Sequence, residues 1–154
     1  MGYQYMVGNQ GITPSVTDQL FNITYKSAAN IIARVTEIGI GGEATASTVN
    51  RMAVRRSSTD GVTPTTAQTP AKASSSGPAA QGTSAVGFTT EPVAAAAPAL
   101  WAYALNVFGG IVRWVAAPGQ ELLVQGATAG NDELGLGTLS GVGVVTDQLV
   151  VEEI

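Results

Sequence analysis

Few side chains in this 154-residue chain are of types that carry out catalysis. It contains no Cys and no His, which excludes disulfides, Ser-His-Asp and Cys-His nucleophiles, and metal sites that depend on those ligands. Glu37 and Glu43 come nearest to an acid/base pair, which glycosidases hold roughly 5–9.5 Å apart. A Gly-Gly break precedes Glu43, so we expect two separate surface carboxylates and no enzymatic activity.

Two glycine-containing stretches invite comparison with ligand-binding loops. Asp132 and Glu133 follow a Gly-Asn pair, but a calcium loop needs several more oxygen ligands at fixed spacing. Gly135-x-Gly137 lacks both the lysine and the following helix of a phosphate-binding loop. We therefore expect a plain turn at residues 132–133, with no metal ion and no cofactor.

Arg51, Arg55 and Arg56 form the one basic cluster of the sequence. Residues 51–56 alternate in polarity, which predicts a strand with Met52 and Val54 on one face and Arg51 and Arg55 on the other. The cluster is either a docking patch for an acidic protein surface or a solvated strand face with intramolecular partners. Nucleic acid is not expected, because the net charge is -4 and the isoelectric point is near 4.6.

Trp101, Tyr103, Phe108 and Trp114 are the large aromatic residues of the segment 100–116, which is predicted to form the central hairpin. Aromatic side chains dominate protein cores and protein interfaces, so we expect these residues in the core or at a subunit interface. The alternative is a platform on which sugars stack. That alternative requires Trp101 or Trp114 to be exposed.

The overall composition predicts a folded chain with an unusually neutral surface. Only 12% of the residues are charged, against about 25% in typical globular proteins. Hydrophobic residues make up 45%, and the mean hydropathy is +0.22, which is enough for a sizeable core. Thr, Ser, Ala, Gly and Gln must then cover the surface. Such a surface suits a protein that docks against copies of itself or a partner.

Local patterns predict strands and almost no helix. Residues 21–25 alternate, with Phe21, Ile23 and Tyr25 expected to face inward. Short strands with Gly and Pro turns favour an all-β fold, an antiparallel β-sandwich of about eight strands resembling a jelly roll. Further strands are predicted at residues 3–7, 31–40, 86–90, 100–108, 111–116, 122–124, 142–145 and 149–154.

The predicted organisation is an N-terminal segment or arm at 1–19 followed by a single sandwich domain at 20–154. Residues 57–85 are rich in Ser, Thr, Ala and Pro and are expected to form an extended surface loop. Gly109-Gly110 is predicted to turn an antiparallel hairpin between residues 100–108 and 111–116. Residues 146–148 are predicted to form a turn.

A targeting or membrane segment is not expected. The first residues lack a basic region followed by an apolar one, so they do not resemble a signal peptide. Residues 93–112 carry no charge and match the length of a membrane span. Pro98, Asn106 and the Gly-Gly pair argue against a helix there, so we expect a loop and two strands.

Two stretches resemble small virion structural proteins of tailed bacteriophages, and more narrowly the capsid cement or decoration group. They are residues 38–52 (IGIGGEATASTVNRM) and 108–119 (FGGIVRWVAAPG). The likeness extends from about residue 20 to the C-terminus and concerns composition, length and strand layout. It implies a β-rich, non-enzymatic and often trimeric protein that clamps neighbouring capsid subunits.

The function expected on these grounds is decoration and stabilisation of a capsid shell by a homotrimer on the outer surface of the virion, made in the host cytoplasm. The expected partner is the major capsid protein, with neither nucleic acid nor membrane involved. The alternative is a carbohydrate- or receptor-binding module of a phage fibre or tail. The residues expected at an interface are Arg51, Arg55, Arg56, Trp101, Tyr103 and Trp114.

Overall fold

The computed structural model describes residues 2–13, 21–96, 98–126 and 133–154. Within these residues the chain forms β-strands and no helix. The strands are β1 (Tyr3–Ile12), β2 (Ile23–Lys26), β3 (Ile32–Glu43), β4 (Val49–Thr59), β5 (Val62–Gln68), β6 (Ala71–Lys72), β7 (Thr83–Thr90), β8 (Val93–Ala94), β9 (Trp101–Asn106), β10 (Phe108–Val115), β11 (Leu122–Gln125), β12 (Glu133–Ser140) and β13 (Val145–Glu153).

The strands form two antiparallel sheets that pack face to face. The first sheet has the order β10-β3-β13-β1-β6, with β11 paired to the other half of β3. The second has the order β5-β7-β2-β12-β4-β8, with β9 also paired to β4. This architecture confirms the predicted antiparallel β-sandwich.

Eight of the strands give the sandwich its jelly-roll winding. The four strands β1, β13, β3 and β10 lie side by side in the first sheet, and β2, β12, β4 and β9 lie side by side in the second. The chain passes to the opposite sheet at almost every connection between them, as two Greek keys require. The total exceeds the predicted eight because β5 to β8 are inserted between β4 and β9, and β11 follows β10.

Inward-facing residues alternate along the strands and form one core between the sheets. On the second sheet, Ile23, Tyr25, Met52 and Val54 are buried in this core, as their alternation predicts. On the first sheet the buried apolar residues include Val35, Ile38, Ile40, Val145, Leu149 and Val151.

Residues 57–85 are more regular than the predicted loop. They contain the end of β4, all of β5 and β6, and the start of β7. Thr-rich sequence has high β-propensity, and β5 pairs with β7 to extend the second sheet. Pro64 fits because β5 is the terminal strand of that sheet, where a missing N–H is tolerated. The longest segment without strand structure is residues 73–82, which connects β6 and β7.

The N-terminal residues belong to the sandwich. Residues 3–12, expected to form part of a separate segment or arm, make up β1, which pairs with β13 on one side and β6 on the other. Tyr5 and Val7 are buried because they face the opposite sheet. Residues 14–20 lie outside the described residues.

The predicted hairpin about Gly109-Gly110 is wrong in its turn and in its pairing. The chain turns at Val107, after which β9 and β10 join opposite sheets rather than each other. Gly109, with φ of 74°, lies at an irregularity in the pairing of β10 with β3. In this arrangement Trp101 and Trp114 contact each other across the two sheets, which a hairpin of β9 with β10 in one sheet does not provide.

Two other local predictions have clear outcomes. Residues 146–148, predicted to turn, lie inside β13, because Asp147 shares the inward-facing parity of Val145 and Leu149. Residues 93–96 and 98–112 lie in β8, β9, β10 and their connections. In the part of the chain that the structure describes, no helix has the length and hydropathy to cross a membrane.

Candidate docking surface

Three connections of the jelly roll meet at one end of the sandwich. They are the β3–β4 connection at residues 44–48, the β9–β10 turn at Val107 and the β12–β13 connection at residues 141–144. The strand register brings them together, since Val49 pairs with Asn106 at the start of β4. We call this surface, made of residues 44–49, 106–111 and 140–144, the uncharged end.

Hydrogen bonds join these connections to one another. The Val107 N–H donates to the Thr48 carbonyl at 3.0 Å, and the Ala44 N–H donates to the Val107 carbonyl at 2.9 Å. The buried Asn50 amide donates to the Gly143 carbonyl at 2.8 Å and accepts from the Gly143 N–H at 3.1 Å. The uncharged end is therefore held in one arrangement by the chain itself.

The chemistry of this end is neutral, with exposed apolar side chains among uncharged polar ones. No Asp, Glu, Lys or Arg occurs in residues 44–50, 105–112 or 134–145. Val49, Phe108 and Val142 are 59%, 61% and 64% exposed there. Interface cores in proteins are likewise depleted in charge and enriched in aromatic and apolar residues. Large exposed apolar patches occur at protein–protein, membrane and ligand-binding sites, which makes this end a candidate docking surface.

The three arginines expected at an interface do not share one surface. Arg51 and Arg55 lie on the outer face of β4, as their alternation predicts. Arg56 has the opposite parity, and its Nη2 donates a 2.6 Å hydrogen bond to the Leu123 carbonyl on the other sheet. Arg56 thus links the two sheets, while Arg51 and Arg55 remain a two-residue basic patch.

The four aromatic residues of this region also lie on two different surfaces. Trp101, Tyr103 and Trp114 are half-buried and pack against the core, with ring centroids 4.4 Å apart for Trp101 and Tyr103 and 6.2 Å apart for Trp101 and Trp114. They close the side of the sandwich between β9 and β10. Phe108 belongs instead to the uncharged end.

Glu37 and Glu43 lie apart. Six residues of extended strand separate them by roughly 20 Å, too far for shared acid/base chemistry. Arg113 donates two hydrogen bonds, of 2.6 and 3.0 Å, to the Glu37 carboxylate and thereby lowers its pKa. Glu43 accepts a hydrogen bond from the Thr146 hydroxyl.

Buried carboxyl groups are the residues that sequence reasoning missed. Asp147 is 1% exposed and accepts a 3.0 Å hydrogen bond from the Asn22 amide, while its Oδ1 has no hydrogen-bond partner among the described residues. Burial raises its pKa to about 7. The phenolic hydroxyl of Tyr103 is also buried without a described partner, and burial and the Asp147 charge raise its pKa.

Glu153 is a second buried carboxyl group. It accepts a 2.8 Å hydrogen bond from the Tyr25 hydroxyl and further hydrogen bonds from the N–H groups of Gln81 and Gly82. Burial and this carboxylate raise the pKa of Tyr25. The signal for Asp147 and Glu153 was present in the sequence, because both share the parity of the apolar residues of β13.

Glu133 is the third buried carboxyl group. The turn predicted at residues 132–133 is wrong at this residue. It begins β12 and is buried on the outer face of the second sheet, opposite Lys26. Asp132 lies outside the described residues. Burial raises the pKa of Glu133, and the hydroxyls of Thr24 and Ser57 act in the opposite direction.

Metal ligands do not cluster in the part of the chain that the structure describes, where no three Asp or Glu side chains converge. Comparisons with known proteins add no relative to this picture: the chain matches no protein-family model, and no curated protein is significantly similar to it.

Proposed function

We propose that this protein is a non-enzymatic structural protein that docks on the outer surface of a capsid shell and bridges neighbouring subunits of the major capsid protein. The observation that carries the proposal is the uncharged end, where three hydrogen-bonded connections present Val49, Phe108 and Val142 to solvent. The resemblance of residues 38–52 and 108–119 to capsid decoration proteins supports a capsid shell as the kind of assembly.

The mechanism rests on preorganisation and on repetition. Connections that are already hydrogen-bonded lose little conformational freedom on binding, so apolar burial is retained as affinity. Each copy contributes a modest interface, and a homotrimer multiplies it through the high effective concentration of linked sites. Many such contacts over a shell raise its resistance to heat and internal pressure. Light scattering measures the oligomeric state on which this mechanism depends.

The test adds the purified protein to bare shells and measures uptake by sedimentation and shell integrity on heating. We expect uptake with a gain in heat resistance, and Val142→Asp should weaken uptake at least tenfold by placing a charge in the apolar contact. Val93→Asp is the matched control, since Val93 is 55% exposed on β8, outside the uncharged end. Shells that neither take up the protein nor gain heat resistance contradict the proposal.

Fewer observations support the alternative of a carbohydrate- or receptor-binding module. The jelly-roll fold is compatible with it, but a fold does not specify a function. The side chains that would stack on a sugar, Trp101 and Trp114, pack against the core. Strong quenching of both indoles by acrylamide, relieved by a glycan, would favour the alternative.

A further inference from the structure

A lysine, an aspartate and a glutamate meet on the outer face of the second sheet. Lys26 ends β2 and pairs in register with Glu133, the first residue of β12, so the two side chains share a face. Asp60 lies in the turn between β4 and β5, 34 positions along the chain from Lys26. All three line one cavity of about 280 Å³. The fold therefore gathers an amine and two carboxyl groups from three separate segments.

Lys26 and Asp60 are in direct contact. Nζ of Lys26 donates a hydrogen bond to Oδ2 of Asp60. A nitrogen that touches a carboxylate oxygen lies within reach of the carboxyl carbon, which is the atom that an amine attacks. Effective molarities of well-oriented intramolecular pairs reach about 10⁵–10⁸ M, which greatly favours a condensation that dilute amines and carboxylic acids do not undergo in water. The contact is therefore suited to a covalent bond as well as to an ion pair.

Glu133 supplies the proton chemistry that such a condensation needs. It is 3% exposed, and burial raises its pKa, which favours the protonated carboxyl group. The hydroxyls of Thr24 and Ser57 face this carboxyl group, and the charges of Lys26 and Asp60 both act on it. A protonated carboxyl group beside an amine and a carboxylate can accept a proton from one and donate a proton to the other.

Apolar atoms close one side of the cavity. Phe88 lines it, and Gly61 packs so closely on the ring of Phe88 that a Cβ at Gly61 would collide with it. An apolar wall keeps water from surrounding the reacting atoms, which favours a neutral amide over a charged pair. The side chains of Lys26 and Asp60 are still 38% and 31% exposed, so a released water molecule has a path to solvent.

We propose that Lys26 and Asp60 form an isopeptide bond within the folded chain, with the carboxyl group of Glu133 as the proton carrier. Nζ of Lys26 loses two protons and bonds to Cγ of Asp60, while one Cγ–O bond breaks. The departing oxygen takes up two protons and leaves as water. The ammonium–carboxylate pair thus becomes one amide and one water molecule, with no oxidation, no reduction and no co-reactant.

The bond is a single self-modification, with no turnover of a substrate, and it is independent of docking by the uncharged end. It joins β2 covalently to the turn between β4 and β5 across 34 positions of the chain. Cross-links of this kind stabilise a fold chiefly by restricting the unfolded chain.

Intact-mass spectrometry of the denatured full chain tests the bond. Wild type should weigh one water molecule less than its sequence, and proteolysis should yield a branched peptide that joins Lys26 to Asp60. Lys26→Arg and Asp60→Ala should each show the full mass of their sequence. Lys72→Arg is the matched control and should keep the loss of water, since Lys72 is the other lysine of the chain and does not line this cavity.

Two results of the mass measurement overturn the proposal. One is a wild type that keeps its full sequence mass after prolonged incubation. The other is a loss of water that persists in Lys26→Arg, because it would then lie in a cyclic imide at Asp60-Gly61 and not in a bond to Lys26.

Glu133→Gln tests the proton carrier, since glutamine keeps the shape of the side chain and cannot exchange the proton. In the folded variant we expect the bond to form about 10²-fold more slowly or less, measured as the fraction of chains that lose water over time. Equal rates in wild type and folded Glu133→Gln overturn the role of Glu133. If Glu133→Gln does not fold, the masses of wild type and Lys26→Arg decide whether the bond exists.

Discussion

The hydroxyl of Tyr25 donates a 2.8 Å hydrogen bond to Oε1 of Glu153, and this bond joins the two sheets of the sandwich in its interior. Tyr25 lies on β2 of the second sheet, and Glu153 is the last residue of β13 on the first. The same carboxylate accepts hydrogen bonds from the N–H groups of Gln81 and Gly82. One carboxylate therefore anchors both sheets and the connection between β6 and β7.

Removing the Tyr25 hydroxyl tests this anchor. Tyr25→Phe keeps the ring in the core but deletes a hydrogen bond to a charged group, so we expect the free energy of unfolding to fall by about 1.5–3 kcal/mol. Chemical denaturation measures the change. Tyr3→Phe, at an exposed tyrosine of β1, should change it by less than about 0.5 kcal/mol. Equal effects of the two substitutions would contradict the assignment.

The buried Asp147 predicts a pH dependence of stability. Its pKa is raised from 3.8 to about 7, so its contribution to stability is fully present below pH 3.8 and is lost as the pH rises through 7. Asp147→Asn lacks this titration. The difference in unfolding free energy, variant minus wild type, should therefore rise by about 2–4 kcal/mol between pH 4 and pH 8.

Glu37→Gln is the control for the Asp147 prediction, because Arg113 lowers the pKa of Glu37. The stabilisation by Glu37 is present above its ordinary pKa and is lost as the pH falls. The difference between Glu37→Gln and the wild type should therefore shrink toward acid pH, opposite in sense to Asp147→Asn. Parallel stability curves for Asp147→Asn and the wild type would refute the buried titration.

The two hydrogen bonds between Asn50 and Gly143 predict that the uncharged end is rigid. Asn50→Ala leaves the Gly143 N–H and carbonyl without their partners, so we expect a loss of about 2–3 kcal/mol in unfolding free energy. Amide exchange should also accelerate across residues 141–144. Asn106→Ala, at an exposed asparagine of the same surface, serves as the comparison and should cost less than about 1 kcal/mol. Unchanged exchange in Asn50→Ala would show that the surface does not depend on this clamp.

The packing of Trp101 predicts that the aromatic cluster stabilises the fold. Trp101 packs on Tyr103 and the core, so Trp101→Ala should lower the unfolding free energy by about 2–4 kcal/mol. Phe108→Ala, at an exposed aromatic of the uncharged end, should stay within about 1 kcal/mol but should weaken uptake by shells. A Trp101→Ala protein as stable as the wild type would instead favour an exposed sugar platform.

Period-two alternation determined the class of fold from the sequence alone. Ile23, Tyr25, Met52 and Val54 face the core as their patterns predict, because alternation depends only on the local geometry of a strand. The same pattern correctly separates Arg51 and Arg55 from the core. The absence of charge in residues 105–112 and 134–145 is likewise a property of the sequence.

Only the tertiary structure decided which strands pair and which polar groups are buried. Gly109 carries a local turn signal, yet β9 and β10 join opposite sheets, where the half-buried Trp101 and Trp114 pack against each other. Glu133 resembles a turn residue until β2 and the β4–β5 turn enclose it. Sheet pairing and burial depend on residues distant in sequence, so the uncharged segments form one continuous surface only where three separate connections meet at one end of the sandwich.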